Sequence, residues 1–442
     1  MYVPAHYLIK GATATEIAAS VEAGIRQGRL PAGSALPTVR GLAAALGLSP
    51  ATVASAYGTL RQRGLVSGQG RRGTRVAQRP PLPTPPRAPV PAHLVDLAEG
   101  NPDPGRLPKL QPALASGSRQ PRLYGEPTNR EALLRLAERQ LGADGIPTQF
   151  LAVVGGALDG IERVLQAQLR PGDRVAVEDP GYTGVLDLLG ALGLVAEPVA
   201  LDDLGPDPAD LRRALRSGVQ AFVLTPRAQN PTGAALDERR ARELRRALDE
   251  RPDVLLIEDD HAGPVAGVPA LTLCRPGRER WAVVRSVSKS LGPDLRLAIL
   301  AGDATTVARV EGRQLVGTGW VSHVLQGLVE ALWSDRRTEA RLLAAAAAYT
   351  ERRRALIQAL ARRGVPAHGR SGLNVWVPVP EEAAAVAHLA EAGWAVRAGE
   401  RYRLRSGPAV RVTISRLDPD DAERVAEAIV QALVPAKRTH SA

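Results

Sequence analysis

The chain has 442 residues, 44% hydrophobic and 23% charged, a composition that excludes a wholly disordered polymer. No run of about 18 uncharged apolar residues occurs, so no membrane span is expected, and the single cysteine, Cys274, excludes an internal disulfide and a cysteine-based zinc site. The formal net charge of +11 is unevenly spread: residues 1–78 carry nine Lys/Arg against two acids and 79–95 add two arginines, so the remaining residues are nearly neutral and a uniformly basic surface is excluded. A basic segment beside a neutral bulk points to a polyanion partner for that segment alone.

The N-terminus, MYVPAHYLIKGATATEIAAS, lacks a charged start followed by an apolar core, so it is not read as a secretory signal. With the lone cysteine, this leads to the expectation of a reducing, cytoplasmic setting. Ile17, Val21 and Ile25 share one helical face, and Gly28 ends that helix. Thr38–Leu46 reads as a second helix with Val39, Leu42, Ala43 and Leu46 inward, followed by a Gly47-Leu48-Ser49 turn. Ser49 is a good N-cap and Pro50 suits the first helical position, where its missing N–H costs nothing. The third helix, Ala51 to Arg63, buries Val53, Tyr57 and Leu60, and Gly64–Val76 reads as two short strands around a glycine- and arginine-rich tip.

Helix, glycine turn, helix and basic hairpin form the layout of a winged helix-turn-helix. The stretch LPTVRGLAAALGLSPATVASAYGTLRQRGLVSGQGRRGTRV resembles the N-terminal domain of GntR-family transcriptional regulators. That resemblance implies duplex DNA as the partner. Arg40 would contact DNA from the start of the second helix, Ser49, Thr52 and Ser55 would reach phosphates or base edges, and Arg71 and Arg72 would enter the minor groove from the wing. Pro50, Ala51 and Ala54 stand where polar or basic residues often read bases, so weight shifts toward phosphates and the wing.

Residues 79–95 hold seven prolines and no hydrophobic periodicity, and are read as an extended, semi-stiff linker between domains at 1–78 and 96–442. From Asp96 onward β-like runs alternate with helical stretches. Strands are expected at Leu151–Val154, Arg174–Val177, Val195–Val199, Ala221–Leu224, Val254–Ile257 and Trp281–Val284, and helices at Glu238–Leu248 and Thr338–Leu360. Alternation of this kind implies a parallel sheet covered on both faces, with ligands at the carboxyl ends of its strands. The fold class is therefore multidomain, an α+β winged helix-turn-helix followed by an α/β domain.

Four strand ends carry polar clusters: Val153-Val-Gly-Gly-Ala157, Thr225-Pro-Arg-Ala-Gln-Asn-Pro-Thr-Gly233, Glu258-Asp-Asp-His261 and Ser286-Val-Ser-Lys289 with Arg296 beyond it. A lysine for a Schiff base, an acid for a pyridinium nitrogen, an amide for a phenolic oxygen, and Ser/Arg for a phosphate are the parts needed to hold pyridoxal 5'-phosphate. The set resembles the fold-type I, aspartate aminotransferase-like family from about Asp96 to Leu433. The resemblance implies that Lys289 forms the Schiff base, and that Ser286, Ser288, Arg296 and the amides of Gly156 and Ala157 hold the phosphate. It implies Asn230 and His261 at the ring hydroxyl, Tyr182 stacked on the ring, Tyr124 reaching the phosphate of the other subunit, and Arg411 on a substrate carboxylate. Asp259 matches the pyridinium partner best, with Asp260 left open. His261 stands where the family usually has a tyrosine, which puts ordinary transamination in doubt.

A GntR-type head joined to an aminotransferase-like domain is the arrangement of MocR-type regulators. This implies a head-to-tail homodimer that senses pyridoxal phosphate, alone or with an amino acid or amine. A catalytically active aminotransferase with an accessory DNA-binding head is the alternative.

Overall fold

The structure, a computed structural model, describes residues 7–62, 64–68, 73–77, 89–116 and 122–433, and divides into two units with the sequence boundary between Ala88 and Pro89. The wing arginines Arg71 and Arg72 lie outside the described residues.

In the N-terminal unit, α1 (Ala14–Arg26), α2 (Val39–Leu46) and α3 (Pro50–Gln62) precede the antiparallel pair β1 (Val66–Gly68) and β2 (Thr74–Val76). Thr13 and Thr38 cap the first two helices by accepting from the Glu16 and Gly41 amides. Gly47 then takes the left-handed conformation (φ 66°) that lets the chain turn sharply into α3, a geometry a β-carbon would oppose. Ile17, Val21, Leu42, Val53, Tyr57 and Leu60 form the core beneath. The Tyr57 hydroxyl donates to the Pro37 carbonyl (2.9 Å), tying α3 to the entry of α2.

The large unit runs β3 (Val95–Asp96), α4 (Leu110–Ser116), α5 (Glu131–Ala143), β4 (Leu151–Val154), α6 (Ala157–Gln168), β5 (Arg174–Asp179), α7 (Thr183–Ala191), β6 (Val195–Asp202), β7 (Gly205–Pro206), α8 (Pro208–Arg216), β8 (Ala221–Leu224), α9 (Glu238–Asp249) and β9 (Leu255–Asp260). It continues with β10 (Trp281–Ser286), β11 (Ala298–Gly302), α10 (Ala304–Val316), α11 (His323–Ser334), α12 (Arg336–Ala361), β12 (Asn374–Pro378), α13 (Glu382–Glu391), β13 (Trp394–Ala395), β14 (Arg397–Ala398), β15 (Ala409–Thr413) and α14 (Ala422–Leu433). An eight-stranded sheet has the order β4-β11-β10-β9-β8-β5-β6-β7.

Strands β5, β8, β9 and β10 are parallel and buried along most of their length, as their near-continuous apolar runs require. The sheet is not wholly parallel, however. β11 runs antiparallel to both β10 and β4, because a short turn region with Pro293–Leu295 returns the chain without a crossover helix. A second, three-stranded antiparallel sheet, β12-β15-β14, was not foreseen from the sequence. β3 pairs in parallel with β13, so Val95, at the end of the proline-rich stretch, already belongs to a sheet. Among the described residues no helix is long and apolar enough to cross a membrane.

Candidate cofactor site and DNA-facing surface

The carboxyl ends of the parallel strands gather the polar clusters. Side chains alternate along a strand, so the three acids that close β9 cannot all face one way. Asp260 points to the side on which Arg285 of β10 stands directly opposite in register. There Arg227 grips it with two donors, Nε to Oδ1 and Nη2 to Oδ2, both at 2.9 Å, and Arg285 Nε donates to Oδ2 at 2.7 Å. Asp144, at the end of α5, completes the group through Arg285 (2.7 Å). Burial alone would raise the Asp260 pKa, but the two guanidiniums outweigh it and hold the carboxyl well below the usual range. Glu258 is buried as well and accepts from the Thr272 hydroxyl (2.8 Å) and the Leu273 amide (2.5 Å).

Asp259 has the opposite surroundings. It is 3% exposed, its Oδ1 is buried without a hydrogen-bond partner, and burial with the neighbouring Asp260 charge raises its pKa to about 7, while Lys289 pulls the other way. An orphaned buried carboxylate oxygen costs free energy unless something donates to it. Lys289 stands beyond β10, and its Nζ donates to the Gly100 carbonyl at 2.5 Å. Burial and then the Arg411 charge lower its pKa to about 8, so its amine gives up its proton far more readily than an exposed lysine's. His261 follows β9. Removal of water and then the Lys289 charge lower its pKa to about 4, so the ring is neutral.

Arg411 on β15 is 2% exposed, donates from Nη1 to Asn230 Oδ1 (3.1 Å) and from Nη2 to the Ala98 carbonyl (2.5 Å), and lies over the Tyr402 ring at 5.2 Å. Asn230 thereby spends its oxygen on Arg411 and keeps its NH2 group as a donor. Beside Asn230, the fully buried Gln229 donates to the Pro180 carbonyl (2.9 Å) and to Glu178 (3.2 Å), and accepts from Thr232. Gln229 therefore joins the Asn230 turn to the Pro180–Tyr182 turn.

On the far side, Gly156 (φ 104°) precedes α6, and a β-carbon there would lie 3.3 Å from Arg296 Nη2, so the guanidinium approaches the helix start closely. The Gly156 N–H donates to the Val154 carbonyl (2.9 Å) and the Gly155 N–H to Asp159 (2.8 Å). Ser286 and Ser288 join through their hydroxyls at 3.0 Å. The Tyr182 ring packs against Gly184 beside Leu158 of α6. Tyr124 stands apart from this group, 93% exposed and edge-on to Trp320 at 5.6 Å.

Sequence reasoning missed Ala98–Gly100, Arg227, Arg285, Gln229 and Tyr402. Strand alternation signalled that Asp259 and Asp260 face opposite ways, but only the register of Arg285 opposite Asp260 says which is which. The others depend on tertiary approach.

In the N-terminal unit, Arg40 is exposed on the first turn of α2, and Ser49 and Ser55 are exposed at the start of and along α3, with Thr52 half-buried between them. Ser49 accepts from the Thr52 amide (3.1 Å) and meets its hydroxyl at 2.9 Å, so it caps α3 while facing outward. These groups form a polar edge with Arg40 at the helix–turn–helix.

Comparison with known proteins gives two family matches: bacterial regulatory proteins of the gntR family over residues 13–76, and aminotransferase class I and II over residues 92–429. The vitamin B6 salvage pathway transcriptional repressor PtsJ of Salmonella typhimurium is 42% identical, across 96% of this chain and all of its own length. The HTH-type transcriptional regulator TauR of Rhodobacter capsulatus is 30% identical over 81% of this chain and 82% of its own. Among solved structures, the alpha-aminoadipate aminotransferase LysN of Thermus thermophilus, complexed with N-(5'-phosphopyridoxyl)-L-leucine, superposes with a TM-score of 0.68 at 22% identity, covering 77% of this chain and 93% of that one.

Proposed function

We propose that this chain, which belongs to the MocR-type branch of the gntR family of bacterial transcription regulators, binds duplex DNA through its head and pyridoxal 5'-phosphate at Lys289. The observation that carries the cofactor reading is the placement of Asp259 within electrostatic reach of Lys289: a buried carboxyl oxygen without a donor, and an amine whose pKa burial lowers. Pyridoxal phosphate supplies an aldehyde and a ring nitrogen whose protonated form a neighbouring anion stabilises. Asp259 would accept from that nitrogen, and Asp260, already held by Arg227 and Arg285, would not. Asn230 would donate to the ring oxygen, and the neutral His261 would adjoin it. Arg296, Ser286, Ser288 and the start of α6 would take the phosphate dianion, and Tyr182 would cover the ring.

Arg411 would receive the carboxylate of an amino acid effector through a bidentate pair. A second copy of the chain would cover Tyr124 and the exposed apolar residues Leu123, Val316 and Val324, which fits a homodimer. On the DNA side, Arg40, Ser49, Thr52, Ser55 and the wing arginines Arg71 and Arg72 would neutralise phosphates and reach the grooves.

Visible absorbance tests the cofactor reading. The purified chain incubated with pyridoxal phosphate should gain a band above that of the free compound, and Lys289→Ala should abolish it. The same band in the variant would refute Lys289.

A further inference from the structure

We infer that Gln229, set against Glu178, is a positioning residue that fixes the gap between the Asn230 amide and the Tyr182 ring, an inference that rests on the cofactor reading above. The turns that carry Asn230 and Tyr182 leave two neighbouring strands, β8 and β5, whose ladder pairs Ala221–Val223 with Val175–Val177. Beyond that ladder, side chains bridge the two turns. The fully buried Gln229 does so with four bonds. Its Nε2 donates to the Pro180 carbonyl (2.9 Å) and to Glu178 Oε2 (3.2 Å), and its Oε1 accepts from the Thr232 amide (2.9 Å) and hydroxyl (2.6 Å). Both donors and both acceptor positions of the amide are thereby used, so its end and its plane are fixed.

Each turn is also braced from its far side. Ser371 Oγ accepts from the Ala228 amide (3.1 Å) and donates to the Ala266 carbonyl (2.9 Å). Ala228 holds a φ of 55°, a strained conformation for alanine that persists only where its surroundings impose it. The Gly233 amide donates to the Gln229 carbonyl (2.6 Å), and a β-carbon on Gly233 would lie 2.7 Å from the Asn374 carbonyl oxygen. On the other turn, the Gly181 amide donates to the Tyr402 carbonyl (2.8 Å). Gln229 joins these two braced turns.

Asn230 would meet the ring oxygen through a hydrogen bond, which weakens steeply with misalignment. A donor at that oxygen matters most once the nitrogen linking Lys289 to the ring has lost its proton, because the oxygen then loses its internal partner. A well-placed Asn230 therefore makes that proton easier to lose, and a displaced one makes it harder.

The test is the pH titration of the visible band of the full-length protein loaded with pyridoxal phosphate. Gln229→Met keeps the length and burial of the side chain and removes all four bonds. Its midpoint should lie roughly half a unit to one unit above that of wild type, with severalfold weaker affinity for pyridoxal phosphate. Thr232→Val removes one bond and should move the midpoint the same way by less. Glu178→Gln still offers an oxygen to Gln229 Nε2 and should titrate as wild type does. Val219→Ala truncates a buried residue at the opposite end of β8. It should lower the thermal midpoint and leave the titration in place, which separates positioning from lost stability. A wild-type midpoint in both Gln229→Met and Thr232→Val overturns the inference, and so does an equal shift in Val219→Ala or Glu178→Gln. If Gln229→Met does not fold, Thr232→Val decides by the same criterion. Wild type that gains no band overturns the cofactor reading itself, and the role of Gln229 with it.

Discussion

Asp259 and Asp260 are neighbours with opposite surroundings, and the difference is set by one strand's alternation and one register pair. Asp260 is the shared anion of two buried guanidiniums, whereas Asp259 has a buried oxygen with no donor. Removing one partner of a buried ion pair leaves an uncompensated charge, at about 3–5 kcal/mol. Asp260→Asn should therefore destabilise the large domain by that order, because Arg227 and Arg285 lose their buried anion and keep only the more exposed Asp144. Asp259→Asn should leave unfolding in denaturant nearly unaltered and weaken retention of pyridoxal phosphate at least tenfold. Equal destabilisation by both substitutions would contradict the assignment. In the sequence the two aspartates are indistinguishable by type; only the placement of Arg285 opposite residue 260, a matter of strand register, separates them. Lys289, Asn230, Arg296 and Arg411 could be nominated from the sequence because each sits in a local motif that resembles the aminotransferase family's.

At the level of elements, the helices and parallel strands follow from periodicity. α9 and α12 begin and end within two residues of the expected positions because capping residues and apolar spacing agree locally. The antiparallel direction of β11 and the small sheet β12-β15-β14 were not legible. Hydrophobic pattern does not encode pairing direction, and β13 and β14 are two residues each, too short for any period. Yet that sheet carries Arg411, and a connection from β5 steadies its approach. Asp179, the last residue of β5, accepts from the amides of Leu404, Arg405 and Ser406 and from the Ser406 hydroxyl, at 2.7–3.0 Å. The Gly181 amide donates to the Tyr402 carbonyl (2.8 Å) nearby, and Tyr402 lies under Arg411. Asp179→Ala orphans three backbone donors, so it should cost about 2–4 kcal/mol in chemical denaturation. It should also weaken binding of carboxylate-bearing amino acids more than binding of pyridoxal phosphate alone, as titration calorimetry would show. A variant as stable as wild type, with both affinities intact, would mean that the 404–406 loop needs no such anchor.

Across the whole molecule, charge divides the labour. Eleven of the basic side chains stand in residues 1–95 against two acids, while the large domain is nearly neutral and pairs buried charges internally. This division was readable from composition alone, because net charge sums over a segment whatever its fold. The most direct measurement is the affinity of the full-length chain for DNA from upstream of its own gene, with and without pyridoxal phosphate, in wild type and Lys289→Ala. Wild type should bind with an affinity that falls steeply as salt rises, and pyridoxal phosphate should shift that affinity severalfold in wild type and leave Lys289→Ala unmoved. Equal wild-type affinity with and without the ligand, or the same shift in Lys289→Ala, would contradict a regulator that senses pyridoxal phosphate through this lysine.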